Sequence, residues 1–476
     1  MEPGTDGVDA PRGAHTIRRA RGGVLVLGGG FAGAWTARLL GESGATLVNT
    51  ENAMLFTPML PEAASGALEF RHVVVPLRMM CPHTELIIGR ATALDVHAKT
   101  ARVVTDDGAS LDICFDHVIV AVGAITRTLP VPGLAEYAIG AKTAVDGLVL
   151  RNEVLRQVDL AAVADPAERD RRLTFIVVGG GYAGVETIAE LAELATEAMQ
   201  FHPTLRGAQQ RWVLVDAGDR ILADIPSRLG EYAAHALIKR GIDVRCNTRL
   251  EKVSETEVAL SDGSRIPIGT LVWTAGVKAH PIMAEWGLPL DDRGRVEVDP
   301  TLQVRGLSHV WGAGDCAAVP NAATPDIHDP PTSQHALRQA KRLASNLHAV
   351  RDGREPEEYR FKALGQVATL GRHRGIADLR GIKLTGWLGW LAARAVHWIQ
   401  IPGASRRMRV LADWILGAMF RRDIVAFSAL GTLRPQAGAA AGEASIYTAS
   451  MPDDMATNAP ALTTPKLGPS SRTRHD

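Results

Sequence analysis

The apolar positions of this chain fall into two patterns. The first is a set of short unbroken runs. Val24-Leu25-Val26-Leu27 leads into the turn GGGFAG, and Thr174-Phe175-Ile176-Val177-Val178 leads into GGGYAG, 151 residues later. A run of four or five apolar residues that stops at glycine predicts a strand buried on both faces, as in parallel sheets. Two more runs, Thr46-Leu47-Val48 and Trp212-Val213-Leu214-Val215, follow each turn after a helical stretch. Strand-like and helical segments alternate up to about Ser345, which predicts an α/β fold of parallel sheets covered by helices on both faces.

The second pattern is helical. Leu411, Trp414, Ile415, Ala418 and Met419 recur at spacings of three and four, one face of a helix. Upstream, Trp387, Trp390, Leu391 and Trp398 share a face, with Arg394 intruding on it. Residues 372–422 hold four of the nine tryptophans and ten Lys or Arg against two acids. Helices of that make-up are too short to span a bilayer and suit its surface, with Arg394 snorkelling toward head groups and Arg406, Arg407, Arg409, Arg421 and Arg422 bracketing the second helix. The alternative is a hairpin packed on the protein or on a second subunit. Beyond about Leu433 the chain is rich in Ala, Pro, Ser and Thr without periodicity, which predicts a disordered tail. Met1–Arg21 is polar and rich in Gly and Pro, and its Arg18-Arg19 pair is not followed by a signal-peptide apolar region. No run of about 20 apolar residues predicts a spanning helix.

Composition narrows the function classes. A chain of 476 residues, 46% hydrophobic and 22% charged, is globular and long enough for two or three domains. Its formal net charge of zero argues against nucleic acid as the main partner. Cys81, Cys114, Cys246 and Cys316 form no C-x-x-C pair and have no zinc-like spacing with histidine. Reduced thiols and no metal site are expected, and the chemistry of a disulfide reductase is disfavoured.

The glycine turns carry the chemistry. In Gly28-x-Gly30-x-x-Gly33 the first glycine permits the tight turn, the second lets a diphosphate approach the backbone, and the third lets helix pack on strand. The helix N-terminus then offers free N–H groups and a partial positive charge. An acid is expected about 20 positions on, to bind ribose hydroxyls. There the second strand ends at Asn49, with Glu51 just beyond, and both remain candidates. Gly179-x-Gly181-x-x-Gly184 repeats the logic, and its second strand ends at Asp216, a carboxylate that favours NADH over NADPH, although Arg220 is near. The strand 115–124 ends in small residues, Ala121 and Gly123 among them, and His309–Asp315 is a short strand ending in Gly314-Asp315. In two-dinucleotide flavoproteins the first closes the domain beside the dinucleotide and the second puts its Asp on the flavin ribityl chain. That assigns FAD to the N-terminal turn, with Phe31 and Ala32 inside it, and NADH to the second. Glu186 follows Gly184 by two residues; it reads equally as a helix-start acid or as a group where nicotinamide meets flavin.

These motifs together resemble the type II NADH dehydrogenases, single-subunit NADH:quinone oxidoreductases that pump no protons. The resemblance runs from Val24 to Ala429 and rests on GGGFAG, NTENAMLFTPMLPEAASG, FDHVIVAVGA, GGGYAGVE, TLVWTAGV, HVWGAGD, PPTSQHALRQA, and LGQVATLGR with the basic tryptophan-rich segment after it. It implies that Phe56-Thr57-Pro58 lines the flavin, that Gly276 of TLVWTAGV belongs to the NADH site, that Glu186 stands at the nicotinamide–flavin junction, and that Gln334 stands beside the flavin edge where quinone arrives. His335, next to Gln334, is either a proton donor to the quinone or a satisfied helix residue. Asn49 departs from the acid many members carry.

The expected architecture is an FAD domain (22–140 and 291–371) split around an NADH domain (141–290), then an amphipathic membrane-association segment (372–433), with 1–21 and 434–476 disordered. The expected protein is peripheral on the cytoplasmic face of the cell membrane through residues 387–422, and a homodimer is left open. The rival readings are a soluble NAD(P)H-dependent reductase of an electron-carrier protein and a nucleotide-sensing protein with little turnover.

Overall fold

The computed structural model describes residues 16–363 and 365–427; the expected tail 434–476 and residues 1–15 lie outside them. The first unit is built on β1 (Val24–Leu27), α1 (Phe31–Leu39), β2 (Thr46–Asn49), a short helix α2 (Leu60–Ala64), β3 (Glu85–Asp95) and β4 (His117–Val120). The second is built on β5 (Thr174–Val178), α3 (Tyr182–Met199), β6 (Arg211–Val215), β7 (Ile242–Arg245) and β8 (Thr270–Trp273). The chain returns to the first unit with β9 (Leu307–Gly312) and α4 (Ser333–Arg351). It finishes with the antiparallel strands β10 (Gly365–Thr369), β11 (Gly375–Leu379) and β12 (Ile382–Thr385), then α5 (Gly386–Gln400) and α6 (Ala404–Met419).

The two main sheets wind alike. The first runs β3-β2-β1-β4-β9, all parallel, with Val26 between Leu47 and Ile119. The second runs β7-β6-β5-β8 plus an edge strand Ala138–Gly140, with Val177 between Leu214 and Val272. In each, the chain steps outward from the first strand and then crosses back, so strand order reverses beside β1 and beside β5. Crevices at such reversals, outside the carboxyl ends of the strands, are where open α/β sheets take ligands. β1 and β5 are buried along their lengths. In β5, Phe175 and Val177 pack into one core and Ile176 and Val178 into another, the two faces of the second sheet. A two-stranded ribbon, Ala124–Thr126 against Val277–Ala279, joins the segments that leave β4 and β8. It ties the ligand ends of the two sheets to each other.

Four expectations change. Thr16–Arg19, placed in the disordered stretch 1–21, is an edge strand paired with Ser110–Cys114, and Arg18 and Arg19 bond Glu85 and Asp116. Ala138–Gly140, placed in the first unit, belongs to the second sheet. Met283, Trp286 and Leu288, placed in the second unit, pack into the first core, so the return starts before residue 291. The expected boundary at 371/372 cuts the hairpin β10–β11, whose Ala368, Leu370 and Ile376 pack beside α3. Apart from that local hairpin, each partner is distant in sequence, so local pattern could not reveal it.

The C-terminal helices are two-sided, but not as their sequence suggested. Trp387, Leu388, Leu391 and Ile399 of α5 are exposed, and so are Ile415, Leu416 and Met419 of α6 and Phe420 after it. Trp390 and Trp398 turn inward, and Trp398 Nε1 donates to the Arg407 carbonyl at 2.8 Å. Arg394 does not snorkel outward. It pairs with buried Glu62 at 3.0 Å and lies between the rings of Trp390 and Trp414, 4.1 and 4.7 Å from their centroids. Three of the five bracketing arginines are also drawn in: Arg406 bonds the Arg71 carbonyl, Arg407 the Ile401 carbonyl, and Arg422 a row of glutamates, while Arg409 and Arg421 are exposed. No helix among the described residues is long and apolar enough to cross a membrane.

Candidate active site

The two glycine turns have the same construction. Gly28 and Gly179 hold φ of +105° and +117°, open to glycine and strained for other residues. A Cβ on Gly33 would lie 1.9 Å from the Gly28 carbonyl oxygen, and one on Gly184 would lie 1.8 Å from that of Gly179, so each helix sits directly on its strand. A Cβ on Gly30 or Gly181 would meet no protein atom within 4 Å. Those two glycines are the N-caps of α1 and α3, and no side chain caps either helix. The helix 144–161, by contrast, has a full capping box from Thr143 and Asp146. Open space over uncapped N–H groups at a helix N-terminus fits a diphosphate.

The remaining residues gather around these turns. In the first, a Cβ on Gly28 would meet the Ala121 carbonyl oxygen at 2.3 Å, and one on Gly314 would meet Ala32 Cβ at 3.0 Å. Gly28, Ala32, Gly33, Ala121 and Gly314 therefore converge. Gly123, with φ of +71°, and Phe31 adjoin them. Asn49 Oδ1 accepts from the Gly29 N–H at 2.8 Å, and its amide donates to the Glu51 carbonyl, while the Glu51 side chain is exposed. Asp315 has its proton affinity raised by burial and lowered by Lys142, 3.9 Å away. Thr57 is exposed, but Phe56 is fully buried and packs on Phe31 with ring centroids 5.6 Å apart, so its ring is a core residue beneath the turn.

In the second turn, Asp216 accepts from the Gly180 and Gly218 N–H groups at 2.5 and 2.7 Å. Thr274 Oγ1 donates to the Val178 carbonyl at 2.9 Å and would be struck by a Cβ on Gly179 or Gly184. Gly276, with φ of +91°, accepts from the Arg127 N–H through its carbonyl.

Glu186 and Gln334 are held at opposite ends of one strand. Glu186 is 6% exposed, and its Oε1 accepts from the Thr369 N–H at 2.8 Å and the Thr369 hydroxyl at 3.2 Å. Burial pushes its carboxyl up to about 8; Thr369 opposes that, and the nearby carboxylates of Glu62 and Glu190 add to it. At the other end of β10, Gln334 Nε2 donates to the Gly365 carbonyl at 3.3 Å. Four residues of strand separate these anchors by ~13 Å. His335 is buried. Its Nδ1 lies 2.7 Å from Thr332 Oγ1, its Nε2 lies 3.8 Å from Asp329, and burial lowers its proton affinity. Those contacts match a satisfied helix residue.

Sequence reading missed several partners. Gln339 accepts from the Gly314 N–H at 2.8 Å and donates to Asp329 at 2.9 Å, so it fixes the Gly314-Asp315 turn; its one signal was its place on the inward face of α4. Thr369 lies within LGQVATLGR and Thr274 within TLVWTAGV, motifs noted for resemblance but not residue by residue. Lys142 had no signal.

Residues 22–340 match the model of the pyridine nucleotide-disulphide oxidoreductase family. A type II NADH:quinone oxidoreductase of Mycobacterium tuberculosis is 31% identical over 419 residues, which cover 84% of this chain and 87% of that one. The chain belongs to the type II NADH:quinone oxidoreductases. A demethylphylloquinone reductase of Synechocystis is 29% identical, over 83% of this chain and 96% of its own. The solved NDH2 of Plasmodium falciparum in complex with NADH shares the fold, with a TM-score of 0.79 at 18% identity over 84% of this chain and 99% of that chain. The wider family is named for disulfide chemistry, yet in this type II oxidoreductase all four cysteines are free, and Cys81 and Cys316 are buried.

Proposed function

We propose that this protein is a non-electrogenic NADH:quinone oxidoreductase that uses FAD and works at a membrane surface. The observation that carries the reading is the pair of uncapped glycine turns at two strand reversals whose exits share one ribbon. FAD, when bound, supplies the two-electron relay between nicotinamide and quinone.

The residues divide the work. Gly28, Gly30, Phe31, Ala32 and Gly33 hold the FAD diphosphate, with Ala121, Gly123, Gly314 and Asp315 closing the site and Thr57 beside it. Asn49 braces the first turn and leaves the Glu51 carboxylate as the ribose acceptor. Gly179, Gly181, Gly184 and Gly276 receive NADH, and Asp216 accepts from its ribose hydroxyls while repelling a 2′-phosphate. Buried Glu186, where nicotinamide meets flavin, holds a proton at neutral pH, the state required of a proton donor toward the reduced quinone. Gln334 can donate an amide hydrogen bond to a quinone carbonyl. The exposed apolar faces of α5 and α6 lie in the lipid interface, peripheral and on the cytoplasmic side, where a lipid-soluble acceptor is found. Those faces disfavour the soluble-reductase reading, since contiguous exposed apolar surface marks a membrane or partner contact.

The test is direct. Purified protein is yellow, bleaches with NADH and regains colour with a short-chain quinone in lipid vesicles. A flavin inert to NADH overturns the reading.

A further inference from the structure

Glu186 has charged company. On α3 it is followed by Glu190, Glu193 and Glu197 at intervals of four, three and four residues, which set all four carboxyls along one helix face. From α2, Glu62 joins them. Glu62, Glu186 and Glu190 are buried. Arg394 of α5 reaches Glu62 at 3.0 Å, and Arg422, just past α6, reaches Glu190 at 3.3 Å, Glu193 at 2.8 Å and Glu197 at 3.4 Å. Arg240 shares Glu193, at 3.0 Å. Trp414 Nε1 donates to Glu62 at 3.1 Å, and Ser65 Oγ donates to Glu190 at 2.8 Å. Glu186 receives the two neutral donors of Thr369, lies near the half-buried Tyr182 on its own helix, and has no ion pair among the described residues.

The charges decide where a proton goes. The buried carboxyls of Glu62, Glu186 and Glu190 face Arg394 and Arg422, and Arg422 is shared with Glu193 and Glu197, which leaves an excess of negative charge away from water. A proton removes that cost, and it settles on the carboxyl with no arginine. Both arginines come from the C-terminal segment and neither from the nucleotide-binding units. Beside them lies a cavity of about 210 Å³ lined by Glu190, Trp390, Arg394, Trp414 and Arg422.

We propose that Arg394 and Arg422 are positioning residues that offset the buried negative charge around Glu186, so that docking of the C-terminal helices sets the acidity of Glu186. The proposal rests on the reading of Glu186 as the proton donor. Burial raises the proton affinity of Glu62 and Arg394 opposes that, while the charge of Glu62 and Glu190 adds to Glu186's hold on its proton. Removing an arginine adds net negative charge and strengthens Glu186's hold on its proton. Removing a glutamate's charge weakens it.

The experiment is a pH titration of the infrared C=O stretch of the protonated Glu186 carboxyl in the FAD-loaded protein, the band being assigned by its loss in Glu186→Gln. Arg394→Gln and Arg422→Gln raise the midpoint, and Glu62→Gln and Glu190→Gln lower it, each by roughly one to two pH units. Arg394→Lys and Arg422→Lys keep the charge and restore the parent midpoint. If Arg394→Gln does not fold, the Glu62→Gln/Arg394→Gln pair, neutral overall, shifts the midpoint less than Glu62→Gln alone. Midpoints that stay fixed, or that move the same way in arginine and glutamate variants, overturn the proposal. Midpoints that shift as stated while Glu186→Gln leaves quinone reduction intact support it and instead remove the donor reading.

Discussion

Gly28 and Gly179 open turns of the same backbone, and α1 and α3 both begin without a capping side chain. The side chains around them are unlike. The second strand of the first unit ends in neutral Asn49, which takes the Gly29 N–H; that of the second ends in Asp216, which takes the Gly180 N–H. Two residues past the third glycine stands Trp35 in the first helix, under the Arg38 guanidinium, and Glu186 in the second, buried against Thr369. The backbone thus specifies a diphosphate site twice. In the proposed assignment the side chains at two matched offsets choose the dinucleotide and hold the proton.

Four measurements break or sharpen that comparison, in order of effect. Gly33→Val forces a side chain into the Gly28 carbonyl and should give colourless protein, whereas Gly184→Val should stay yellow and fail to bleach with NADH. If Gly184→Val also loses colour, the two units are not separable sites. Next, Glu186→Gln should slow quinone reduction about 10²-fold. Because the folded carboxyl keeps its proton up to about 8, the parent rate should fall as pH rises through that value, and the variant should lack that limb. Trp35→Phe, at the matched offset, should leave the limb in place.

Asp216→Ala should cost about tenfold in preference for NADH over NADPH, about 1.4 kcal/mol, read as the ratio of kcat/KM values. Asn49→Ala should loosen FAD and leave that ratio alone; a changed ratio would mean the turns are not independent. The smallest effect on the fold is expected on the outer helices. Leu391→Glu or Ile415→Glu should reduce binding to anionic vesicles while altering stability by about 0.5 kcal/mol or less, since both side chains are exposed. Unchanged vesicle binding would hand that surface to a second copy of the chain.

The sequence made the turns legible because each needs glycine at fixed offsets from a buried strand. Periodicity likewise located α5 and α6, but it could not say which way they face. Trp390, Trp398 and Arg394 read as outward residues from composition, and the structure turns all three inward: Glu62, 332 residues before Arg394, supplies its buried acceptor, Trp390 packs on its guanidinium, and Trp398 donates to the Arg407 carbonyl. The carboxyl row on α3 acquired its meaning only from Arg422, which lies beyond the last helix.

By itself, then, the order of residues determined the α/β class, the repeated turn and the identity of the carboxylate at each offset, since these depend on neighbours within a few positions. Only the tertiary structure decided that Glu186 and Gln334 hang from opposite ends of β10, and that the C-terminal arginines serve the interior. A strand register and a buried charge balance are set by partners 31 to 332 residues apart, and no local pattern encodes them.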